Sequence, residues 1–474
     1  MLRVTEIKLP LDHDENALRR ALTARLGVDD RDLMTLLVHR RGYDARKKSD
    51  IHLVYTVDAQ IRNEGLLSAR AKQDPKIVAT PDMSYRPVAD ARRYKGPRPV
   101  VIGMGPCGLF TGLILAEMGF NPIILERGKA VRERTKDTFA FWRKGILNPA
   151  SNAQFGEGGA GTFSDGKLYS GVKDSEFKGR KVLTEFVAAG APDEILTVSK
   201  PHIGTFRLVS MVEAMRAKIE ALGGEIRFET QATDVLIEKG RLRGLITADG
   251  TEIATDALAL ALGHSARDTV EMLHARGVFV EAKPFSIGVR IEHPQSLIDK
   301  ARFGAKAGHP LLGAADYKLV HHASNGRGAY SFCMCPGGTV VAAASEEGRV
   351  VTNGMSQYSR KERNANAGLV VDITPEQDFP GGPLAGIAFQ RALEARAFEV
   401  GGSNYCAPGQ RVGDFLAGRG SARLGDVIPS YKPGVTPCDL RDVLPAFAID
   451  AMREALPKFA RQIAGFDMAD AVMT

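Results

Sequence analysis

Between Val100 and Gly128 the chain reads VVIGMGPCGLFTGLILAEMGFNPIILERG, and few folds accommodate that order of residues. Val100–Ile102 predicts a short buried strand. Gly103, Gly105 and Gly108 follow at G-x-G-x-x-G spacing, and the spacing predicts a helix from Gly108 to Met118. Asn121–Leu125 returns as a second strand and ends in Glu126. The three glycines serve different ends. Gly103 permits the tight turn, Gly105 admits a pyrophosphate close to the backbone, and Gly108 lets the helix pack on the strand. The helix start offers unpaired N–H groups and a positive dipole end to phosphates, with Pro106 and Cys107 small enough for the turn. Glu126 stands where a carboxylate would accept both ribose hydroxyls, with Arg127 beside it. A glycine-rich turn without a ligand is the alternative, and the placed carboxylate argues against it.

The 474 residues suffice for two or three domains. No apolar run reaches the roughly 18 residues of a membrane span, and MLRVTEIKLPLDHDE lacks the apolar core of a secretory signal. Five cysteines in no regular framework point to a reducing compartment, and so to the cytoplasm. The net charge of +7 is concentrated: residues 1–98 carry 20 Lys and Arg against 14 Asp and Glu. Arg40–Lys48 is the densest cluster. A solvated face is the first reading of it, and docking of nucleic acid or an acidic protein the second.

Residues 1–84 predict a small basic α+β domain of βαββ order, half of a ferredoxin-like fold. Its pieces are strands at Leu2–Ile7, Leu33–His39 and Ile51–Ile61 and a helix over Asn16–Leu26. Residues 85–98 read as a linker and 99–275 as an α/β, Rossmann-like domain. Within the latter, Phe206–Leu222 predicts an amphipathic helix. Val235–Ile237, Leu242–Thr247 and Thr251–Ile253 predict a β-meander, and Ala257–Leu262 a strand buried on both faces. Residues 276–440 predict an inserted, mostly β substrate domain, and 441–474 a helical return.

Beyond ILERG and ALALALGHSARDT, four segments narrow the field: NAQFGEGGAGTFSDGKL (Asn152–Leu168), KPHIGT (Lys200–Thr205), FCMCPGG (Phe332–Gly338) and SEEGRVVTNGMS (Ser345–Ser356). With them the chain resembles, over essentially its whole length, the uncharacterised FAD-dependent dehydrogenases, also called NAD(FAD)-utilising dehydrogenases. These lie within the glutathione-reductase-like two-domain flavoproteins. The resemblance implies FAD as cofactor and an oxidoreductase that passes a hydride or electron pair through flavin, with no substrate specified. It also implies adenine binding through the backbone at Ala232, and cofactor contact at Gly263 and His264 after the last strand. Such folds close with a further strand and a helix aimed at the pyrophosphate. That segment is expected to be missing after MADAVMT.

The glycine-rich segment agrees on physical grounds. Five glycines in eleven residues, Gly156 to Gly166, let backbone N–H groups approach a flat ring. The expected contacts are Gly158, Gly159, Ala160, Gly161, Thr162 and Phe163, with Ser164 and Asp165 on the polar edge of the flavin. Among catalytic candidates, His202 suits proton transfer or is a structural histidine, and Lys167 could stabilise an anionic reduced flavin or simply be a surface lysine. Cys333 and Cys335, one residue apart in a strand, would point the same way and could relay electrons, or simply be small buried side chains. Arg290 is either an anchor for an acidic substrate or half of an ion pair. No metal-ligand spacing appears. With one dinucleotide fingerprint only, NAD(P)H would visit the flavin as a transient donor or not at all. The rival readings are a flavin-dependent RNA-modifying or RNA-binding protein and a non-catalytic flavoprotein.

Overall fold

The computed structural model describes residues 1–474 apart from Glu64 and Leu66. Two compact units emerge. The first comprises Met1–Arg86, Lys167–Ile203 and Asp299–Ala315; the second comprises Pro87–Gly166, Gly204–Ile298 and Asp316–Thr474. The small N-terminal domain therefore recruits two later segments that sequence patterns alone assign elsewhere.

In the first unit, β1 (Leu2–Pro10), β2 (Leu33–Asp44), β3 (His52–Ile61) and β4 (Ile77–Ala79) form one antiparallel sheet of order β2-β3-β1-β4. Helices Ala17–Leu26 and Ala69–Gln73 complete a βαββαβ unit, a whole ferredoxin-like arrangement where half was expected. Leu18, Leu22 and Leu26 are buried, as their i, i+4, i+8 spacing requires. The fourth strand escaped notice because it has three residues, of which Val78 and Ala79 are exposed. The outer edge of β2 is not bare: Arg41 N–H donates to Thr197 O at 2.6 Å and Ser199 N–H to Arg41 O at 2.8 Å. In the basic cluster, Arg40, Arg46, Lys47 and Lys48 are exposed.

The second unit contains the parallel sheet that the glycine motif predicts. Its strands are β5 (Val100–Ile102), β6 (Ile123–Leu125), β7 (Glu225–Arg227) and β11 (Leu258–Leu260), in the order β11-β5-β6-β7. The meander follows as β8 (Ala232–Glu238), β9 (Arg241–Thr247) and β10 (Glu252–Ala254). Ala257–Leu262 does not become a strand buried on both faces. Only Leu258–Leu260 pair, at the sheet edge, and Leu260 is 45% exposed.

A larger sheet supplies the rest. It contains β12 (Phe285–Pro294), β13 (Val320–His322), β14 (Gly328–Ala342), β15 (Thr352–Ser356), β16 (Asn364–Ile373), β17 (Ala407–Arg411), β18 (Val435–Pro437) and β19 (Val472–Met473). Their order is β13-β14-β16-β12-β19-β17-β18, with β15 beside β14. The helix Ala446–Ala460 buries Ile449, Met452, Leu456 and Phe459 against this sheet. The last residues do not form a helical return to the parallel sheet. Val472 and Met473 pair with Glu292 and Ile291 on one side and with Arg411 and Gln410 on the other. The C-terminal residues are thus an interior strand of the larger sheet.

Candidate functional site

The turn after β5 takes the conformation that its glycines permit. Gly103 has φ +97°, and a Cβ there would fall 2.4 Å from Ala261 O. A Cβ on Gly108 would lie 1.8 Å from Gly103 O, so Gly108 serves helix packing and does not border the cavity. The helix starts at Pro106, with Gly105 as its N-cap. Its first N–H groups have no partner within the helix and open on a cavity of about 450 Å³.

Gly103, Gly105, Pro106, Cys107, Glu126, Arg127, Gly159, Ala160, Gly161, Ala232, Gly263 and His264 all line this cavity, so most of the expected cofactor residues come together. A Cβ on Gly159 would stand 2.7 Å from Gly105 Cα. Two backbones thus face each other with no side chain between them. Glu126 is buried and already organises the wall. Its Oε2 accepts the Met104 N–H at 2.8 Å, and its Oε1 accepts those of Gly128 and Gly156, each at 2.9 Å. Three amides fix the carboxylate before any ribose reaches it.

The glycine-rich loop divides into a lining and a support. Gly158, Thr162, Phe163, Ser164 and Asp165 do not line the cavity, contrary to expectation. Thr162 Oγ1 donates to Glu157 O at 3.3 Å and Ser164 Oγ to Gly161 O at 2.7 Å, so these hydroxyls tie the loop to itself. Asp165 is buried and paired with Arg360. Phe163 packs edge-on to Trp142 at 5.7 Å and beneath the Arg134 guanidinium at 4.9 Å. Arg134 is fully buried; its Nε donates to Asn152 O and its Nη1 to Glu157 O, at 2.8 and 2.7 Å. Burial lowers its pKa to about 10. Short-range sequence patterns could not have identified it, because its partners lie 18 to 23 residues away.

Further lining residues were missed: Gln154, Phe155, Gln231 and Ser265. Arg127 lies over the Phe155 ring at 4.4 Å and pairs with Asp268 at 2.9 Å; Gln231 donates to the same carboxylate at 2.7 Å.

A second cavity, of about 440 Å³, shares Gln154, His264 and Ser265 with the first. Ser286, Gly288, Arg290, Phe332, Asn353 and Val370 are among its other lining residues. His264 is exposed to both cavities, yet surrounding protein displaces bulk water and lowers its pKa, and the Arg267 charge lowers it further. Arg267 is clamped on Glu394 (2.9 Å from Nη1 to Oε2), and Arg391 bridges Glu346 and Glu271.

The catalytic candidates fall elsewhere. Lys167 and His202 belong to the first unit, where they face each other in an isolated antiparallel bridge. Cys333 and Cys335 do not share a face as a regular strand would require. The register of β14 breaks between Phe332 and Cys335, Cys333 has φ +43°, and Cys335 is fully buried with its Sγ 3.4 Å from Cys333 O. Neither cysteine borders the cavities. Among the described residues no group of three His, Cys, Asp or Glu could hold a metal ion, and no helix is long and apolar enough to cross a membrane.

Residues 284–474 match the family model described as FAD-dependent protein, C-terminal domain-like; residues 1–60 match a domain of unknown function. An uncharacterised protein of Clostridium beijerinckii is 44% identical over 481 aligned residues, which cover 100% of this chain and 88% of that protein. The chain belongs to the same family as that protein. Among solved structures, the Thermovibrio ammonificans THI4 structure is 19% identical, with a TM-score of 0.25, over 40% of this chain and 66% of its own. Glycine oxidase from Bacillus cereus is 14% identical, with a TM-score of 0.22, over 41% of this chain and 63% of its own. The chain therefore spans just under two thirds of each of these two solved chains.

Proposed function

We propose that this chain is an FAD-dependent oxidoreductase of the uncharacterised FAD-dependent dehydrogenase class. The observation that carries the reading is the convergence of the Gly105 turn, the helix start at Pro106, the buried Glu126 and the bare Gly159 backbone on one cavity. The match of residues 284–474 to an FAD-dependent protein domain supports it. In this reading the Cys107 N–H at the helix start holds the pyrophosphate, Glu126 accepts from the ribose, and the Ala232 backbone holds the adenine. Bound FAD would supply two-electron chemistry. The chain's own residues at the junction of the cavities, Gln154, His264 and Ser265, orient the reacting partner. His264 has its pKa lowered from 6.5, so it is neutral at pH 7 with one ring nitrogen free to accept a proton.

The test is a titration of purified protein with FAD, FMN and ADP, followed by visible absorption and calorimetry. FAD should bind, ADP should compete with it, and FMN should bind at least about tenfold more weakly, since it lacks the adenosine half. Failure of ADP to compete would remove the Glu126 and Ala232 assignments. Anaerobic titration of the loaded protein with NADH and NADPH then identifies the donor.

A further inference from the structure

Arg290 carries a charge that the protein does not compensate. It is 4% exposed, and its Nη2 donates to Cys333 O at 2.9 Å and to Asn366 Oδ1 at 2.5 Å, both neutral acceptors. Among the described residues no carboxylate side chain pairs with it, and its Nε has no hydrogen-bond partner. A buried guanidinium without a counter-charge is costly unless something else supplies the anion. The ion-pair reading of Arg290 therefore fails, and the anchor reading remains.

Its surroundings hold the guanidinium at the wall of the second cavity. Gly354 leaves room for the guanidinium, since a Cβ there would fall 2.3 Å from Arg290 Nη2. Asn366, which holds Arg290 Nη2 through its Oδ1, and Tyr317 are buried beside the cavity without lining it. Of these three residues Arg290 alone lines the second cavity.

The other charged side chains that line the second cavity, Arg267 and Glu394, form a clamped pair. Polar side chains such as Ser265, Ser286, Asn353 and Gln390 share the rest of the lining with apolar and bare positions. Gly368 stands opposite Arg290 in the sheet, and Phe332, opposite Gly368, is 63% exposed for an aromatic side chain. A charged end and an apolar flank on one floor match a small acid with an apolar body.

The geometry points to the second cavity as a binding site for a small organic monocarboxylate, its carboxylate on Arg290 and its apolar body along Phe332 and Val370. This deepens the flavin reading by naming a substrate class and rests on it only for the chemistry, because the acid site can be measured without cofactor. The probes are phenylacetate and its uncharged isostere phenylacetamide, titrated by calorimetry into the protein as purified and after saturation with FAD. FAD affinity is measured separately.

Phenylacetate should bind at least about tenfold more tightly than the amide, as expected for a charged hydrogen-bonded pair. Arg290→Met should abolish that preference, Arg290→Lys should retain part of it, and both variants should keep FAD affinity within about twofold. Equal binding of acid and amide, or no binding of either, overturns the site. So does an Arg290→Met variant that is folded by circular dichroism and still prefers the acid. Loss of FAD binding in Arg290→Lys would assign the guanidinium to the cofactor instead. Failure of FAD to bind wild-type protein, with the acid preference intact, would sink the flavin reading and leave the acid site standing.

Discussion

The Arg360 guanidinium grips the Asp165 carboxylate from 195 residues away, with Nε 3.0 Å from Oδ1 and Nη2 on Oδ2. Asp165 is 1% exposed, so the pair closes the end of the glycine-rich loop inside the protein. Arg360→Met removes the positive partner from a buried carboxylate, which costs on the order of 3–5 kcal/mol. Arg360→Met/Asp165→Asn should recover part of that loss. A double-mutant cycle read by urea unfolding measures the coupling, and strict additivity would show that the pair is incidental.

Glu126→Gln separates two roles of one carboxylate. The amide oxygen can still take one or two of the three backbone donors, but its NH₂ faces a third N–H and the charge is gone. FAD affinity should fall by about 1.5–3 kcal/mol, the value of charged hydrogen bonds, and the melting temperature should fall as well. Unchanged flavin fluorescence quenching on titration would contradict the ribose assignment.

Arg134→Met addresses the support of the loop. It leaves the Asn152 carbonyl buried and unpaired, at about 1–3 kcal/mol, and the Glu157 carbonyl with only the Thr162 hydroxyl. We expect a lower unfolding midpoint and faster proteolysis within residues 152–166; a wild-type midpoint would mean that water or neighbouring groups replace the guanidinium.

Cys107 is exposed and borders the cavity, whereas Cys335 is buried and burial pushes the Cys438 thiol up to about 11. Maleimide at pH 7 should therefore modify Cys107 readily, and saturating FAD should slow that reaction at least about tenfold by covering the helix start. Peptide mapping reads both effects. Equal labelling of Cys107 with and without FAD would place the cofactor elsewhere.

His293 is fully buried, its Nε2–H donates to Phe466 O at 2.7 Å, and burial lowers its pKa from 6.5 to about 4. Between these two values the unfolded chain binds the extra proton and the folded one does not. Stability contributed by neutral His293 is therefore complete above about pH 6.5, falls as pH drops towards 4, and levels off below that, a loss of about 3 kcal/mol. The difference in stability between wild type and His293→Gln, followed by urea unfolding from pH 8 to 4, should show that slope. A pH-independent difference would rule it out.

The dinucleotide half of the fold was legible because its signals are local. A strand, three glycines, a helix and a carboxylate occupy 27 consecutive positions, Val100 to Glu126, and each residue acts within a turn or two of its neighbours. Ala232 and His264 could be placed because they follow recognisable strands. Thr162, Ser164 and Asp165 were misread for the opposite reason. Short polar side chains among glycines suit a ligand and a loop hydrogen-bonded to itself equally well, and the deciding partner of Asp165 lies at position 360. The bulge at Cys333 was invisible because strand alternation assumes an unbroken register. Arg290 was visible as a choice between an ion pair and a ligand anchor, and only the positions of carboxylates distant in sequence could decide it.

The two-residue strand Val472–Met473 sets an order of events during synthesis. Among the described residues it alone joins β12 to β17 in the sheet order. On a ribosome emitting the chain from its N-terminus, the strands through Ile373 can assemble as one half-sheet and Ala407–Pro437 as another. The seam between them stays open, with unpaired backbone on both sides, until residues 472–473 emerge to fill it. A pause in translation shortly before that point would hold the nascent protein in a state with two exposed edges, the form in which holdase chaperones find their clients.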